Sequence, residues 1–295
     1  MAGKSVYVIL VNYNGLNDTE ECIRSLKQNS YDNYKIIVVD NCSPDDNIYD
    51  LKDKWNDLII VSSLANEGFA KANNHGIDIA LQNGADYVLL LNNDTIVEKD
   101  FLENMVVTAQ KLAADVLTCK IMYNYDRTKL WYGGGKIDWK KGYGIHYVSN
   151  ELKDITEIEF VTGCCMLLKK NVVETLKLPE DYFMYFEDVD YCVKLREHGF
   201  SIFYSPYIKL YHKVSASAGI ESPFFVYYWN RNRLIFMKKY RYRVGTLSYY
   251  MRVSFFLLTR LFKTIGYILH GDFEKNQKMF EGVKAGISYK IKTNY

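Results

Sequence analysis

The sequence predicts an α/β fold with a mostly parallel sheet and helices on both of its faces. Three observations lead to this prediction. Apolar runs of strand length recur up to residue 91, helical patterns alternate with them, and each run is continuous rather than interrupted at every second position. Continuous apolar strands are typical of parallel sheets, because helices cover such sheets on both sides.

The elements follow in order along the chain. The predicted parallel strands are VYVILV (6–11), KIIVVD (35–40), LIIVS (58–62) and YVLLL (87–91). Helical spacing fills the intervals at residues 19–28, near 48–55 and at 68–84. Shorter β-leaning segments with glycine turns follow at about 115–168, which predicts antiparallel strands that complete the sheet. A helix is predicted at residues 187–199, ending at Gly199, and helices again beyond about residue 221.

Charge divides the chain into two parts. The net charge is +2, but residues 221–295 hold 14 Lys and Arg against 4 Asp and Glu, which leaves +10 there and −8 elsewhere. This asymmetry indicates two regions with different partners. The chain enters its first strand without an apolar signal segment, and its six cysteines have no C-x-x-C spacing, so we expect a cytoplasmic protein with free thiols.

Polar clusters follow three of the predicted strands. These clusters are Asn12-Tyr13-Asn14, Asp40-Asn41 and Asn92-Asn93-Asp94. Because the carboxyl ends of parallel strands lie along one edge of a sheet, we expect the three clusters to meet in one pocket. Each cluster alone has a simpler interpretation: Asp40 as a turn residue, and residues 93–95 as the cap of a helix starting near Val97.

Seven ordered segments carry a family resemblance: VILVNYNG, IIVVDNCSPD, NEGFAKANNHGI, LLLNNDTIV, FVTGCCMLLKK, YFMYFEDVDYCVKLREHGF and YHKVSASAG. Together they resemble the family 2 glycosyltransferases of GT-A fold, a Rossmann-like architecture, and within that family the rhamnosyltransferase-like branch. The resemblance implies a catalytic domain at residues 1–215, with a nucleotide-sugar half to about 115 and an acceptor half from about 116. Residues 216–295 would form a basic, aromatic helical region, matched more loosely through YYWNRNRLIFMKKY.

The resemblance implies a metal site. Asn92-Asn93-Asp94 stands where the family has its metal-binding D-x-D motif, so Asp94 is the expected ligand of a divalent cation, Mn²⁺ or Mg²⁺. Asn92 departs from the motif by replacing its first Asp, which predicts weaker metal binding. His212 matches a histidine that often completes this site, although a lone histidine at a strand end is usually structural. An imidazole ligand would favour Mn²⁺.

The resemblance also implies contacts to a nucleotide sugar. Asp40 matches the family's base-reading aspartate, which accepts the N3–H of uracil or thymine. Asn12 and Tyr13 would flank the base. Gly68 at a helix N-terminus would let a phosphate or ribose approach closely. The remaining expected contacts are Asn66, Asn73, Asn92 and Asn93.

Asp188, in the Glu187-Asp188-Val189-Asp190 segment, matches the family's catalytic base. Inverting transfer needs one carboxylate to take the proton of the acceptor hydroxyl as its oxygen attacks the sugar. A dipole-favourable first helical turn suffices to explain Glu187 and Asp190.

The C-terminal region combines 18 aromatic with 14 basic residues beyond position 220. Its most apolar stretch, residues 251–270, is interrupted by three basic residues, so a membrane-spanning helix is not expected. A helix lying on the inner-leaflet membrane surface is the favoured interpretation. A helix packed on the catalytic domain or on a second subunit, as in a homo-oligomer, is the alternative. No nucleic-acid-binding module is recognisable, so no nucleic-acid partner is expected.

These observations together predict a cytoplasmic, peripheral, metal-dependent inverting glycosyltransferase of cell-wall or other polysaccharide biosynthesis. It would move a hexose, with L-rhamnose as one candidate, from a dTDP- or UDP-sugar to a lipid-linked or growing glycan. One alternative is a nucleotidyltransferase, against which VNYNGLND offers no glycine-rich phosphate loop. The other is an inactive module that binds a sugar nucleotide, an idea that Asn92 favours and Asp188 opposes.

Overall fold

The predicted parallel strands are confirmed in the computed structural model of the protein, which describes residues 3–214 and 222–291. They are β1 (Val6–Asn12), β2 (Tyr34–Asp40), β3 (Ile59–Ser62) and β4 (Tyr87–Leu91). β1 pairs in parallel with β2 on one side and with β4 on the other, and β3 extends the sheet beyond β2. β1 and β4 are buried almost throughout, which explains their continuous apolar runs.

Helices connect these strands at the predicted places: α1 (Leu16–Leu26), α2 (Asp50–Lys54) and α3 (Gly68–Gln82). α1 buries the apolar face formed by Cys22, Ile23 and Leu26, as its helical spacing predicts. The parallel connections bring the carboxyl ends of β1, β2 and β4 to one edge of the sheet. The polar clusters that follow these three strands therefore lie along that edge.

The second half of the sheet is mixed. Its elements are β5 (Thr95–Val97), α4 (Phe101–Leu112), β6 (Val116–Tyr123), β7 (Leu130–Tyr132), β8 (Gly135–Asp138), β9 (Tyr143–His146), β10 (Thr156–Glu157), β11 (Cys165–Lys169), α5 (Lys170–Thr175), α6 (Glu187–Glu197) and β12 (Ile202–His212). The main sheet has the order β10-β12-β6-β11-β4-β1-β2-β3, with β5 beside β12 and β7 beside β6, while β8 and β9 pair separately.

Antiparallel pairing completes the sheet largely as predicted. β11 runs antiparallel to both β4 and β6, and β7 runs antiparallel to β6. β12 is the exception, because it runs parallel to β6. The short helix α5 is also absent from the sequence prediction. α6 ends before Gly199, whose positive φ of 79° fits the predicted glycine stop.

Helices make up the C-terminal part: α7 (Pro223–Lys239), α8 (Arg241–Val244), α9 (Thr246–Leu269) and α10 (Phe273–Ser288). Ser222 caps α7 by accepting a hydrogen bond from the Phe225 N–H at 3.1 Å, and Pro223 follows at the first helical position. α10 packs closely on α7, since a Cβ on Gly282 would lie 2.3 Å from the Tyr227 carbonyl oxygen. Each helix within residues 3–214 and 222–291 is too short or too polar to cross a membrane.

The described residues divide into two compact units. The first unit contains residues 3–136, 145–183 and 187–214, and therefore the whole main sheet. The second unit contains residues 137–144, 184–186 and 222–291. Within the second unit, the fully buried Asn232 donates hydrogen bonds to the carbonyl oxygens of Met184 (2.8 Å) and Tyr185 (3.0 Å). The predicted domain boundary at 215/216, with the end of the YHKVSASAG motif, lies outside the described residues.

Candidate active site

Asp40 is held rigidly at the carboxyl end of β2. Its Oδ1 accepts hydrogen bonds from Ser43 Oγ (2.6 Å) and Asn12 Nδ2 (3.2 Å), and its Oδ2 accepts one from the Ser43 N–H (3.3 Å). The register of the parallel pair β1–β2 sets Asn12 directly beside Asp40. The carboxylate is therefore an acceptor of fixed orientation at the sheet edge.

Asn12 and Tyr13, adjacent in sequence, have opposite environments. Asn12 is fully buried, and its Oδ1 accepts a hydrogen bond from Thr19 Oγ1 at 2.8 Å while its Nδ2 also donates to Asp46 Oδ2 at 3.1 Å. Tyr13 is 47% exposed. The structure thus commits Asn12 to orienting Asp40 and leaves the Tyr13 ring as the surface on which a base could stack. Contact between Asn12 and a ligand stays a prediction.

The loop before α3 is organised by two asparagines. Asn41, directly after Asp40, donates from Nδ2 to Asn66 Oδ1 at 2.8 Å and accepts the Glu67 N–H on its Oδ1 at 3.0 Å. Asn66 Oδ1 also accepts the Gly68 N–H at 3.1 Å. Asn66 therefore lies near Asp40, and its contact with a nucleotide stays a prediction.

Gly68 is needed for a reason other than the expected one. Its φ is +80°, and a Cβ at this position would lie 2.2 Å from the Phe183 carbonyl oxygen, which approaches so closely because the Phe69 N–H donates to it at 2.9 Å. A backbone oxygen therefore occupies the side of Gly68 on which a Cβ would stand, and this requires glycine here. Asn73 is likewise buried, and its Nδ2 donates to the Phe69 carbonyl at 2.9 Å. Ligand contacts for both residues stay predictions.

Asp94 and His212 lie side by side. β5 pairs antiparallel with the end of β12, with Thr95 opposite His212, and this brings His212 Nε2 to 3.0 Å from Asp94 Oδ1. Both residues are buried. The alternative interpretation of residues 93–95 as a helix cap is wrong, because they lead into β5 and α4 begins only at Phe101.

The pair fits a divalent cation that takes its other ligands from a substrate. A carboxylate oxygen and an imidazole nitrogen suit Mn²⁺, and Mg²⁺ is commonly bound by one or two carboxylates together with phosphates and water. His212 Nδ1 is buried without a hydrogen-bond partner among the described residues, so the Nε2 side carries the polar contacts of this ring. Across residues 3–214 and 222–291 no three His, Cys, Asp or Glu side chains form a metal-binding group.

Two consecutive residues, Gly163 and Cys164, connect the Asn92-Asn93-Asp94 cluster with α6. The Asn92 N–H donates to the Cys164 carbonyl at 2.9 Å, while the Gly163 N–H donates to Asp188 Oδ2 at 3.1 Å. The neighbouring Asn93 donates from Nδ2 to Thr19 Oγ1 at 2.8 Å. The predicted cation ligands and the predicted base therefore lie on either side of one short segment.

The three acids at the start of α6 differ in environment. Burial and the neighbouring Asp188 charge hold the pKa of Glu187 well above its ordinary value. Burial raises the pKa of Asp188 to about 6, against the opposing effect of the N–H groups of Gly163 and Val189. Asp190 is fully buried and accepts a hydrogen bond from the Tyr182 hydroxyl at 2.7 Å. Asp188 is the half-buried member of the three.

Several residues of this site escape sequence reasoning. Ser43, Thr19 and Asn41 hold Asp40, Asn12 and Asn66 in place, and Gly163 donates to Asp188. Asn41 could have been found, because it belongs to a strand-end cluster. The others lie in helices and loops whose distance from the sheet edge depends on tertiary contacts that no local pattern reveals.

Comparisons with known proteins give one matching family model and two relatives that cover most of the chain. The family model described as Glycosyl transferase family 2 matches residues 7–177. The dTDP-rhamnosyl transferase RfbF of Shigella flexneri is 25% identical over 262 residues, covering 80% of this chain and 80% of that protein. The rhamnosyltransferase WbbL of Escherichia coli strain K12 is 23% identical over 281 residues, covering 90% of this chain and 99% of that protein.

Two solved structures resemble the chain in fold. The crystal structure of GalNAc-T7 with UDP, GalNAc and Mn²⁺ matches 79% of this chain at a TM-score of 0.63 and 15% identity. The crystal structure of S. aureus TarS matches 79% at a TM-score of 0.57 and 17% identity. This chain spans only 48% and 39% of those two chains, respectively. At such identities the likeness shows the fold alone.

Proposed function

The chain belongs to glycosyltransferase family 2 and has the GT-A fold, and on this basis we propose that it is an inverting, metal-dependent hexosyltransferase. The proposed donor is a dTDP- or UDP-sugar, with L-rhamnose as the first sugar to test. Two relatives that match most of this chain are named rhamnosyltransferases, and one of them carries dTDP in its name. Residues 1–215 would be the catalytic domain.

The donor would be recognised at the strand-end edge. The fixed Asp40 carboxylate would accept the N3–H of uracil or thymine, and the exposed Tyr13 ring would cover the base. Asn66, Gly68, Asn73, Asn92 and Asn93 complete the proposed nucleotide-sugar site. A divalent cation held by Asp94 and His212 would offset the charge that develops on the departing diphosphate. The Mn²⁺ in the structure of GalNAc-T7 supports this choice of ion.

The observation that carries the proposal is the state of Asp188. A half-buried carboxylate with a pKa near 6 is ionised at neutral pH and basic enough to take a proton from a hydroxyl in the transition state. The Gly163 N–H fixes one of its oxygens, which leaves the carboxylate oriented before the acceptor arrives. In our proposal Asp188 deprotonates the acceptor hydroxyl while that oxygen attacks C1 opposite the leaving group, which inverts the anomeric carbon.

The proposed acceptor is a lipid-linked or growing glycan, and the proposed location is the inner-leaflet membrane surface. The positive C-terminal region supports an anionic surface as partner, because residues 221–295 carry a net charge of +10. A homo-oligomer through the same helices is the rival partner. The named activities of the relatives support a glycan acceptor without identifying it.

A donor panel tests this function. Binding of dTDP-, UDP- and GDP-sugars is measured by calorimetry with Mn²⁺ and with a chelator, and nucleoside diphosphate release is followed for each donor that binds. We expect metal-dependent binding of a dTDP- or UDP-sugar, slow hydrolysis, and an inverted anomeric carbon in the NMR spectrum of any transfer product. Preference for a GDP-sugar contradicts the role of Asp40, because guanine presents a different edge. Binding with neither hydrolysis nor transfer identifies an inactive binding module.

A further inference from the structure

The outer face of α9 is apolar along its whole length. Residues spaced three or four apart, and therefore on one side of the helix, are 49–75% exposed. They include Leu247, Met251, Phe255, Leu258, Phe262 and Ile265. Single exposed apolar side chains are ordinary, but a continuous row over a 24-residue helix is typical of a surface that another molecule covers.

Two of the three charged residues of α9, Arg252 and Arg260, form hydrogen bonds with other parts of the second unit. Arg260 Nη1 donates to Asn230 Oδ1 at 2.9 Å, and Arg252 Nη1 donates to the Trp139 carbonyl. The buried side chains Phe256 and Tyr267 lie on this inner side as well. A surface helix in water has the opposite arrangement, with its apolar side inward and its charges outward. The exposed row of α9 is therefore unsuited to water.

Charge identifies the kind of molecule that covers this row. Residues 222–271, which contain α7, α8 and α9, hold nine Lys and Arg and no Asp or Glu. Arg241 and Arg243, directly before α9, are exposed. A second copy of this chain on the same face would bring the exposed Arg241 and Arg243 of both copies together, which is repulsive. An anionic lipid surface attracts the cations and also takes up the apolar row.

We propose that α9 lies in the plane of an anionic bilayer, with the row from Leu247 to Ile265 inserted at the boundary between headgroups and acyl chains. Arg241 and Arg243 would contact the headgroup phosphates. The helix does not cross the bilayer, because it is too polar overall to do so. This inference rests on the proposed function for its membrane-bound acceptor, but vesicle binding is measured without any turnover.

The test is flotation of the full chain with vesicles made of equal parts of phosphatidylglycerol and phosphatidylcholine, compared with vesicles of phosphatidylcholine alone. We expect the protein to float with the anionic vesicles and to be released by high salt. A double substitution, Phe255→Ser with Phe262→Ser, should lower the vesicle partition coefficient at least about tenfold, because two aromatic side chains are removed from the buried face. Both side chains are 67% exposed, so the fold should survive.

A matched control removes two exposed apolar side chains of the first unit, Val107→Ser with Val148→Ser, and should bind vesicles like the unchanged protein. Arg241→Glu with Arg243→Glu should weaken binding to anionic vesicles only. The proposal is overturned if the unchanged protein does not float with anionic vesicles, or if the double phenylalanine variant floats equally well. It is also overturned if sedimentation shows a dimer that this variant loses without any vesicle binding.

The two proposals fail in different ways. If vesicle binding follows these expectations but no donor binds or reacts, the membrane inference stands and the proposed transferase activity does not. The opposite result is also possible. If the α9 variants transfer sugar to a water-soluble acceptor as fast as the unchanged protein, and also bind anionic vesicles to the same extent, the proposed activity stands and the docking of α9 is wrong.

Discussion

Three neighbouring carboxyl groups, at Glu187, Asp188 and Asp190, differ in chemistry because their surroundings differ. Glu187 is buried, its Oε2 has no hydrogen-bond partner within the part of the chain that the structure describes, and burial holds its pKa well above the ordinary value. Asp190 is buried against the Tyr182 hydroxyl. Asp188 keeps partial exposure and a pKa near neutrality. Environments that separate the pKa values of nearby acids commonly mark the acid and base of a mechanism.

Asp188→Asn should lower single-turnover transfer at least about 10²-fold, since the amide keeps the size of the side chain and removes its basicity. Donor affinity by calorimetry should change much less, because the lost interaction belongs to the transition state. Glu187→Gln is the matched control, because it makes the same acid-to-amide change at the neighbouring buried acid, and it should change turnover only slightly. If the Asp188→Asn variant turns over at a near-normal rate, Asp188 is not the base. If donor affinity and turnover fall by the same factor, Asp188 acts by shaping the donor pocket instead.

The same substitution has a signature in the pH profile. The Asp188 pKa is raised from its ordinary 3.8 to about 6, so the group is protonated, and unable to accept a proton, below about pH 6. kcat/KM should therefore rise with pH through a midpoint near 6 and level off above it. In the Asp188→Asn variant, kcat/KM should no longer rise through a midpoint near pH 6. If the rise remains, another group is responsible for it.

At the scale of secondary structure, the three-residue strand β5 creates the proposed cation site. Its pairing with the last residues of β12 is what sets Asp94 beside His212. Asp94→Ala should reduce donor affinity in Mn²⁺ to the value measured with a chelator, while the thermal transition shows an intact fold. Asp100→Ala, at an exposed position just before α4, is the control and should keep the metal dependence. Unchanged metal-dependent affinity in Asp94→Ala would show that the cation binds elsewhere.

The two ends of α3 offer a matched pair of glycines. Gly68 and Gly84 have nearly equal positive φ values, +80° and +79°, but only Gly68 has a backbone oxygen where a Cβ would go. Gly84→Ala should lower the free energy of unfolding by about 1–2 kcal/mol through its left-handed backbone alone. Gly68→Ala should lower the free energy of unfolding by about 1–3 kcal/mol more than Gly84→Ala, because the Phe183 backbone must move to make room for the Cβ. Urea denaturation measures both free energies of unfolding. If the two variants are equally destabilised, the Phe183 backbone moves at little cost in free energy.

At the scale of the whole molecule, the parallel half of the sheet was predictable from sequence and the mixed half only in outline. β1 and β4 are buried on both faces almost throughout, and β2 is buried over its last five residues, so burial produces the apolar runs of these three strands. β5 has three residues, too few for a periodic signal, and a polar cluster before it imitates a helix cap. The direction of β12 depends on its pairing with β6, a contact that no local pattern encodes.

The candidate site shows the same limit. Strand ends indicate which polar residues share an edge, so Asp40 and Asp94 were identifiable as candidates, whereas Asp188 was identified by the family resemblance. The residues that hold these carboxylates in place were not identifiable in the same way, because Ser43 and Gly163 reach them through contacts that depend on the folded structure. Tyr185 and Phe186 add a further case: both have positive φ, a conformation that bulky residues rarely adopt and that sequence patterns do not suggest.

The pairing of β5 with β12 also determines when in folding the proposed cation site exists. The two strands come from distant parts of the chain, and such pairings form late because a long loop must be closed first. Until then Asp94 has no imidazole beside it. A ligand that requires both side chains binds only the finished fold, so its presence would shift the balance between native and unfolded chains toward the native protein. Substrate supply would then protect newly made molecules from degradation as well as sustain their activity.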